Sequence, residues 1–127
     1  MVAGAQLPTV LVVDDEESLR LYMGRVLKDE GYIVLEAQNG LEALSLLDGG
    51  ETGRVDLVVT DVLMPGMGGA DLATQLATRP SSPPVLFVSG SHNLDDMPGP
   101  LLRKPFLPAD LSALARELIR QVSASSF

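Results

Sequence analysis

The chain has Cys 0, Trp 0 and His 1. Without thiols there is no disulfide, no thiolate zinc site and no cysteine nucleophile. The lone histidine, His92, has no partner nearby in sequence, supports neither a triad nor a zinc site, and reads as a solvated loop residue. Cationic side chains are scarce too: 9 Lys and Arg stand against 17 Asp and Glu, for a formal charge of -8. A surface of that sign repels a phosphate backbone, so direct nucleic-acid binding is not expected. No apolar run approaches the roughly 20 residues of a membrane span, and Met1 to Gln6 lacks the basic start and apolar centre of a signal peptide. The expectation is a cytoplasmic chain with no membrane contact of its own. What is present is apolar content of 46% in 127 residues, enough for one compact domain with a sizeable core.

The apolar residues fall into two alternating patterns. Thr9 to Val13 is a short β-branched run, followed by Leu19, Tyr22, Met23, Val26 and Leu27 at helical spacing, which predicts a strand and then an amphipathic helix. Gly31 is placed to stop that helix, and Tyr32 to Ala37 reads as a second strand ending in the turn signal Asn39-Gly40. Leu41, Leu44 and Leu47 suggest a second helix, and Glu51 to Gly53 a loop. Leu57 to Thr60 is a third strand, while Leu72, Ala73 and Leu76 mark a third helix. Pro83-Pro84 precedes a strand at Val85 to Val88. The last helix opens near Pro108 and carries Leu111, Leu114, Ala115, Leu118, Ile119 and Val122. Strands without polar alternation are those of a parallel sheet covered on both faces. The pattern predicts an open α/β sheet of five strands, with no internal repeat.

Ligands of such sheets bind at the carboxyl ends of the strands, where the strand order reverses. Asp14, Asp15, Asp61, Ser89 and Lys104 all fall at or just beyond predicted strand ends. Two readings fit Asp14 to Glu17: an acidic cap on the following helix, or carboxylates gathered around a cation. Asp61 favours the second, because a third acid at a neighbouring strand end completes an oxygen donor set suited to a hard ion such as magnesium. Its alternative is a turn-initiating role before Met64-Pro65-Gly66. Lys104, otherwise an ordinary surface lysine, can act as counter-charge, so that three negatives face a divalent ion plus one. A transferred phosphoryl group then adds charge that both cations can meet. Ser89 can donate its hydroxyl to that group or serve as a turn serine. Gly66, Gly68 and Gly69 lack the spacing and the lysine of a phosphate-binding loop and read as tight-turn residues. Met64, Met67 and Met97 lie near the same rim and read as packing.

These residues resemble the receiver domains of two-component response regulators. The matching pieces are Val10-Leu11-Val12-Val13-Asp14-Asp15-Glu16-Glu17, the run Thr60-Asp61-Val62-Leu63-Met64-Pro65-Gly66-Met67-Gly68-Gly69, then Ser89-Gly90, then Lys104-Pro105-Phe106. They stand in family order, and the resemblance spans Leu7 to Val122. It implies a flavodoxin-like, doubly wound parallel sheet of order 2-1-3-4-5, as one receiver domain with a core at 7–122 and flexible ends at 1–6 and 123–127. It implies that Asp61 accepts a phosphoryl group from a phosphohistidine on a histidine kinase or phosphotransfer domain. Asp15, Asp61 and the backbone carbonyl of Leu63 would hold Mg2+, with Asp14 acting through water. Lys104 would pair with the acceptor, Ser89 would shift to bond the phosphoryl group, and the Lys104-Pro105 bond would be cis. Leu63 and Ser91 are expected to flank the path of attacking water.

Two departures from the family are visible. Gly90 to Arg103 is short and contains Pro98-Gly99-Pro100, so the helix before the last strand, the fourth, is expected to be short or absent. The position often held by an aromatic switch residue is Leu101. A short Ser-Gly segment followed early by Lys-Pro-Phe is most similar to receivers attached to hybrid histidine kinases. Two other classes compete. One is a phosphorylation-independent interaction module of the same fold. The other is a magnesium phosphohydrolase with Asp61 as nucleophile, against which Val62 and Leu63 supply no second acid or base.

Overall fold

The computed structural model describes residues 7–49, 53–80, 82–90 and 97–125. Among the described residues nine elements follow in order: β1 (Thr9–Val13), α1 (Glu17–Asp29), β2 (Ile33–Ala37), α2 (Gly40–Asp48), β3 (Leu57–Asp61), α3 (Gly69–Ala77), β4 (Val85–Ser89), β5 (Leu101–Arg103) and α4 (Pro108–Ser125). The strands form one sheet of order β2-β1-β3-β4-β5, and every neighbouring pair is parallel. Fold class and strand order are therefore as the sequence and the resemblance predicted.

The two faces of the sheet carry separate cores. Val10, Val12, Leu57, Val59, Leu86, Val88 and Leu102 pack with Met23 and Leu27 of α1 and Leu111 and Ala115 of α4. Leu11, Val13 and Val58 face the other way, against Ala43 of α2, Leu72 and Leu76 of α3, and Met64. Alternate residues of β1 thus serve opposite layers, which is why the strand has no polar position to show in sequence. β1 and β3 are buried at every residue.

Several elements end differently from expectation. β3 and β4 each continue one position further, through Asp61 and Ser89. β2 begins at Ile33 because the Tyr32 N–H donates back to the Leu27 carbonyl at 3.2 Å and finishes α1 instead of joining the ladder. Gly31, at φ 95°, makes the reversal between them. In α2 the buried face is Ala43 with Leu44, Leu46 and Leu47 packed around it, whereas Leu41 is exposed at the first turn. α2 starts on a side-chain cap, the Asn39 carbonyl oxygen accepting from the Glu42 N–H at 2.8 Å. The bond Lys104-Pro105 is cis. Between β4 and β5 no helix occurs among the described residues; the expectation for the fourth helix falls largely on 91–96, which lie outside them, as do Ser91, His92, Glu51 and the expected ends at 1–6. α4 itself runs past Val122 to Ser125.

Candidate functional site

Strand order reverses between β1 and its two neighbours, so the helices that follow β1 and β3 leave on opposite faces and open a crevice at the carboxyl edge. Register decides what stands there. Val13 pairs with Thr60, so the residues that follow them, Asp14 and Asp61, emerge side by side. Asp61 pairs with Val88, and Ser89 with Arg103, so Ser89 and Lys104 complete the same edge. Four residues separated widely in sequence, Asp14, Asp61, Ser89 and Lys104, are neighbours for one reason: each stands at or just beyond the end of a strand of one parallel sheet.

The carboxylates of Asp14, Asp15 and Asp61 each place an oxygen within 4.8 Å of the others. Asp14 is fully buried and Asp61 is 8% exposed, while Asp15 is open to solvent. One oxygen of Asp14, Oδ1, accepts from the Glu16 N–H at 2.9 Å, which is the turn into α1. The other, Oδ2, is buried without a hydrogen-bond partner. An orphaned carboxylate oxygen is costly unless something electropositive meets it, and here it belongs to a group of three acids. Burial pushes the Asp14 carboxyl above the usual range, against the pull of the Glu16 N–H, and the neighbouring Asp61 charge adds to the rise. Asp61 is raised likewise, by burial first, with Lys104 and the backbone N–H groups of Val62 and Leu63 opposing.

Lys104 Nζ stands 3.7 Å from Asp61 Oδ1, beyond direct hydrogen-bond length but within ion-pair range. Its backbone is fixed independently, because its N–H donates to the Ser89 carbonyl at 2.9 Å. Ser89 itself is 2% exposed at the end of β4. Leu63, two residues beyond the strand end, turns its side chain outward at 67% exposure. Below it the loop is tightly closed. The Gly69 N–H donates to the Val62 carbonyl at 2.9 Å, and a Cβ at Gly69 would sit 2.4 Å from the Asp61 carbonyl oxygen. Gly69, which opens α3 without a positive φ, is therefore required by close approach and not by the turn, whereas Gly66, at φ 78°, is required by the turn. Met64 is buried and Met67 packs beside it, as packing residues should.

Sequence reasoning missed the supports. Thr60 Oγ1 donates to the Asp61 carbonyl at 2.9 Å inside the core. Arg20 reaches from α1 to the Asp14 carbonyl at 2.9 Å and to Glu36 Oε1 at 3.1 Å. A signal existed: Glu36 interrupts the apolar run Ile33-Val34-Leu35 before Ala37, and a partly buried charge demands a partner.

The donor set fits a hard divalent cation: oxygen ligands, one orphaned and buried, on a rigid sheet edge with one face open. Comparison with known proteins agrees with the arrangement. The family model for the response regulator receiver domain matches residues 10–115, and the chain belongs to that family. Among curated relatives, the sensor kinase CckA of Brucella abortus is 38% identical over 122 residues, covering 89% of this chain and 13% of that protein. The response regulator MprA of a Mycobacterium species is 35% identical over 121 residues, covering 90% of this chain and 51% of the relative. The chain thus spans about half, or far less, of the curated relatives it matches. A crystal structure of the receiver domain from the hybrid histidine kinase CckA superposes with a TM-score of 0.75 at 32% identity, covering 87% of this chain and 98% of that one. The chain is a receiver domain of two-component signalling, similar to those of hybrid histidine kinases. A phosphohydrolase or a phosphorylation-independent module is not favoured.

Proposed function

We propose that this receiver accepts a phosphoryl group on Asp61 from a phosphohistidine of a histidine kinase or phosphotransfer domain, in a step that depends on Mg2+ held by Asp14, Asp15, Asp61 and the Leu63 carbonyl. The observation that carries the reading is the buried, unpartnered Oδ2 of Asp14 within a three-carboxylate cluster whose member Asp61 also faces Lys104. The magnesium ion, when bound, offsets the charge of the carboxylates and of the incoming phosphoryl oxygens.

The rest of the chemistry falls to side chains. A carboxylate oxygen of Asp61 attacks phosphorus, the bond to the imidazole nitrogen breaks, and the leaving histidine retains the electron pair. The Asp61 carboxylate stands at the end of β3, where the neighbouring Val62 and Leu63 N–H groups and Lys104 favour its charged, attacking form. Lys104, already drawn to Asp61, meets the charge that arrives, and Ser89 donates its hydroxyl to the same group. Transfer ends at the aspartyl phosphate and its own hydrolysis, so the domain acts on itself and turns over no separate substrate. Leu63, being apolar and exposed, cannot orient an attacking water by hydrogen bonding. The site of action is cytoplasmic, where such kinases hold their phosphohistidine. No helix among the described residues is long and apolar enough to cross a membrane.

The test is intact mass after incubation with Mg2+ and a small phosphodonor, beside Asp61→Asn and a chelator control. The expected result is a gain of one phosphoryl group, absent from both controls. Equal labelling of Asp61→Asn would remove Asp61 as acceptor, and no gain with any donor would favour the phosphorylation-independent module.

A further inference from the structure

The turn that carries Asp14 and Asp15 is held from outside the acidic cluster. Arg20, early in α1 and with its side chain only 11% exposed, donates from Nη1 to the Asp14 carbonyl at 2.9 Å and from Nε to Glu36 Oε1 at 3.1 Å. The Asp14 N–H donates at 3.1 Å to the carbonyl of Ala37, the residue after Glu36. Both backbone groups of Asp14 are therefore tied to the end of β2, one directly and one through the guanidinium. The carbonyl that Arg20 grips belongs to the peptide joining Asp14 to Asp15, so its orientation sets the point from which the exposed Asp15 side chain departs.

We propose that Arg20, clamped by Glu36, is a positioning residue for the cation site: it presets the Asp14-Asp15 peptide so that the carboxylates converge before the ion arrives. The proposal rests on reading the acidic cluster as the magnesium site. Arg20 does not touch the ion. Its charge opposes a cation by Coulomb repulsion, while its geometry favours one by holding the ligands, so the two contributions differ in sign. A lysine keeps the charge but not the fixed fork that serves two acceptors at once.

Calorimetric titration of Mg2+ into the parent chain, Arg20→Met, Arg20→Lys and Arg116→Met separates these contributions. Arg116 pairs with Glu30 at 3.1 Å, at the far end of α1, so its replacement removes the same charge and leaves the turn intact. Arg20→Met is expected to weaken Mg2+ binding about 10-fold, the usual scale for losing a group that orients a metal ligand, and Arg20→Lys to weaken it similarly. Arg116→Met should bind as the parent does or slightly more tightly. A folded Arg20→Met that binds Mg2+ as well as or better than the parent would overturn the proposal. If Arg20→Met does not fold, Arg20→Lys decides alone: weakened binding supports the clamp, parental affinity overturns it. A parent chain that takes up no Mg2+ overturns the metal reading itself and this proposal with it, whereas a binding parent with unaffected variants overturns only the role of Arg20.

Discussion

Asp14 shows how a single side chain can oppose folding in order to serve a site. Its carboxyl, and that of Asp61, are raised by burial, so the folded state holds protons that the unfolded chain has already released. For such a group the stability change runs downward with pH. At pH values below the ordinary carboxylate range the group is protonated in both states and costs nothing. As pH rises through the interval between the ordinary and the raised value, stability is lost, and above it the loss is complete. Asn at position 14 can still accept from the Glu16 N–H, and its amide replaces the orphaned oxygen with a donor facing two carboxylates. Asp14→Asn should therefore stabilise the metal-free domain at pH 7 by about 1 kcal/mol, about 4 °C in midpoint for a domain of this size. Its advantage over the parent should shrink as pH falls into the carboxylate range. Thermal unfolding of both proteins with chelator, from neutral to mildly acidic pH, checks the sign.

Among the elements, α3 is set directly against the backbone of the site. Its first residue, Gly69, lies against the Asp61 carbonyl and the Val62 backbone, so a methyl group there must displace main chain and not a flexible side chain. Gly69→Ala is expected to cost about 2 kcal/mol, within the usual range for overpacking, and to weaken Mg2+ binding because Asp61 moves with the backbone it hangs from. Denaturant unfolding and metal titration on the same sample test both halves. Asn39→Ala, which removes the α2 cap, should cost about 1 kcal/mol and leave the affinity for Mg2+ unchanged. The elements differ in the same way in how legible they were. β1, β3 and β4 announced themselves as uninterrupted apolar runs because both faces are covered. Asp14, Asp61, Ser89 and Lys104 were legible as one cluster because register converts strand ends into neighbours. The contacts that brace them were not: Gly69 was visible only as a turn residue, and Arg20 only as a charge on a helix. Close approach and side-chain reach depend on coordinates, which period and composition do not carry.

For the molecule as a whole, stability comes from two apolar layers on either side of one sheet, with no disulfide among 127 residues that contain Cys 0. A ligand that binds only the folded state adds directly to that stability. With Mg2+ at about 100 times its dissociation constant the gain should be about 2.7 kcal/mol, seen as a rise in midpoint that chelator reverses. Asp15→Asn, which removes the solvent-facing carboxylate of the cluster and leaves both cores untouched, should lose most of the rise. A rise that persists in that variant would locate the effect elsewhere on this acidic surface.

The sheet closes on its outer side with β5, three residues long, with Pro100 immediately before it and Pro105 shortly after. An open strand is a template on which another chain can grow, and proline lacks the N–H that such growth requires. With so short a margin to copy and imino acids on both flanks, that border is a poor seed for fibrils. Its shortness and its flanking prolines leave the β5 border little backbone on which edge-to-edge aggregation could start.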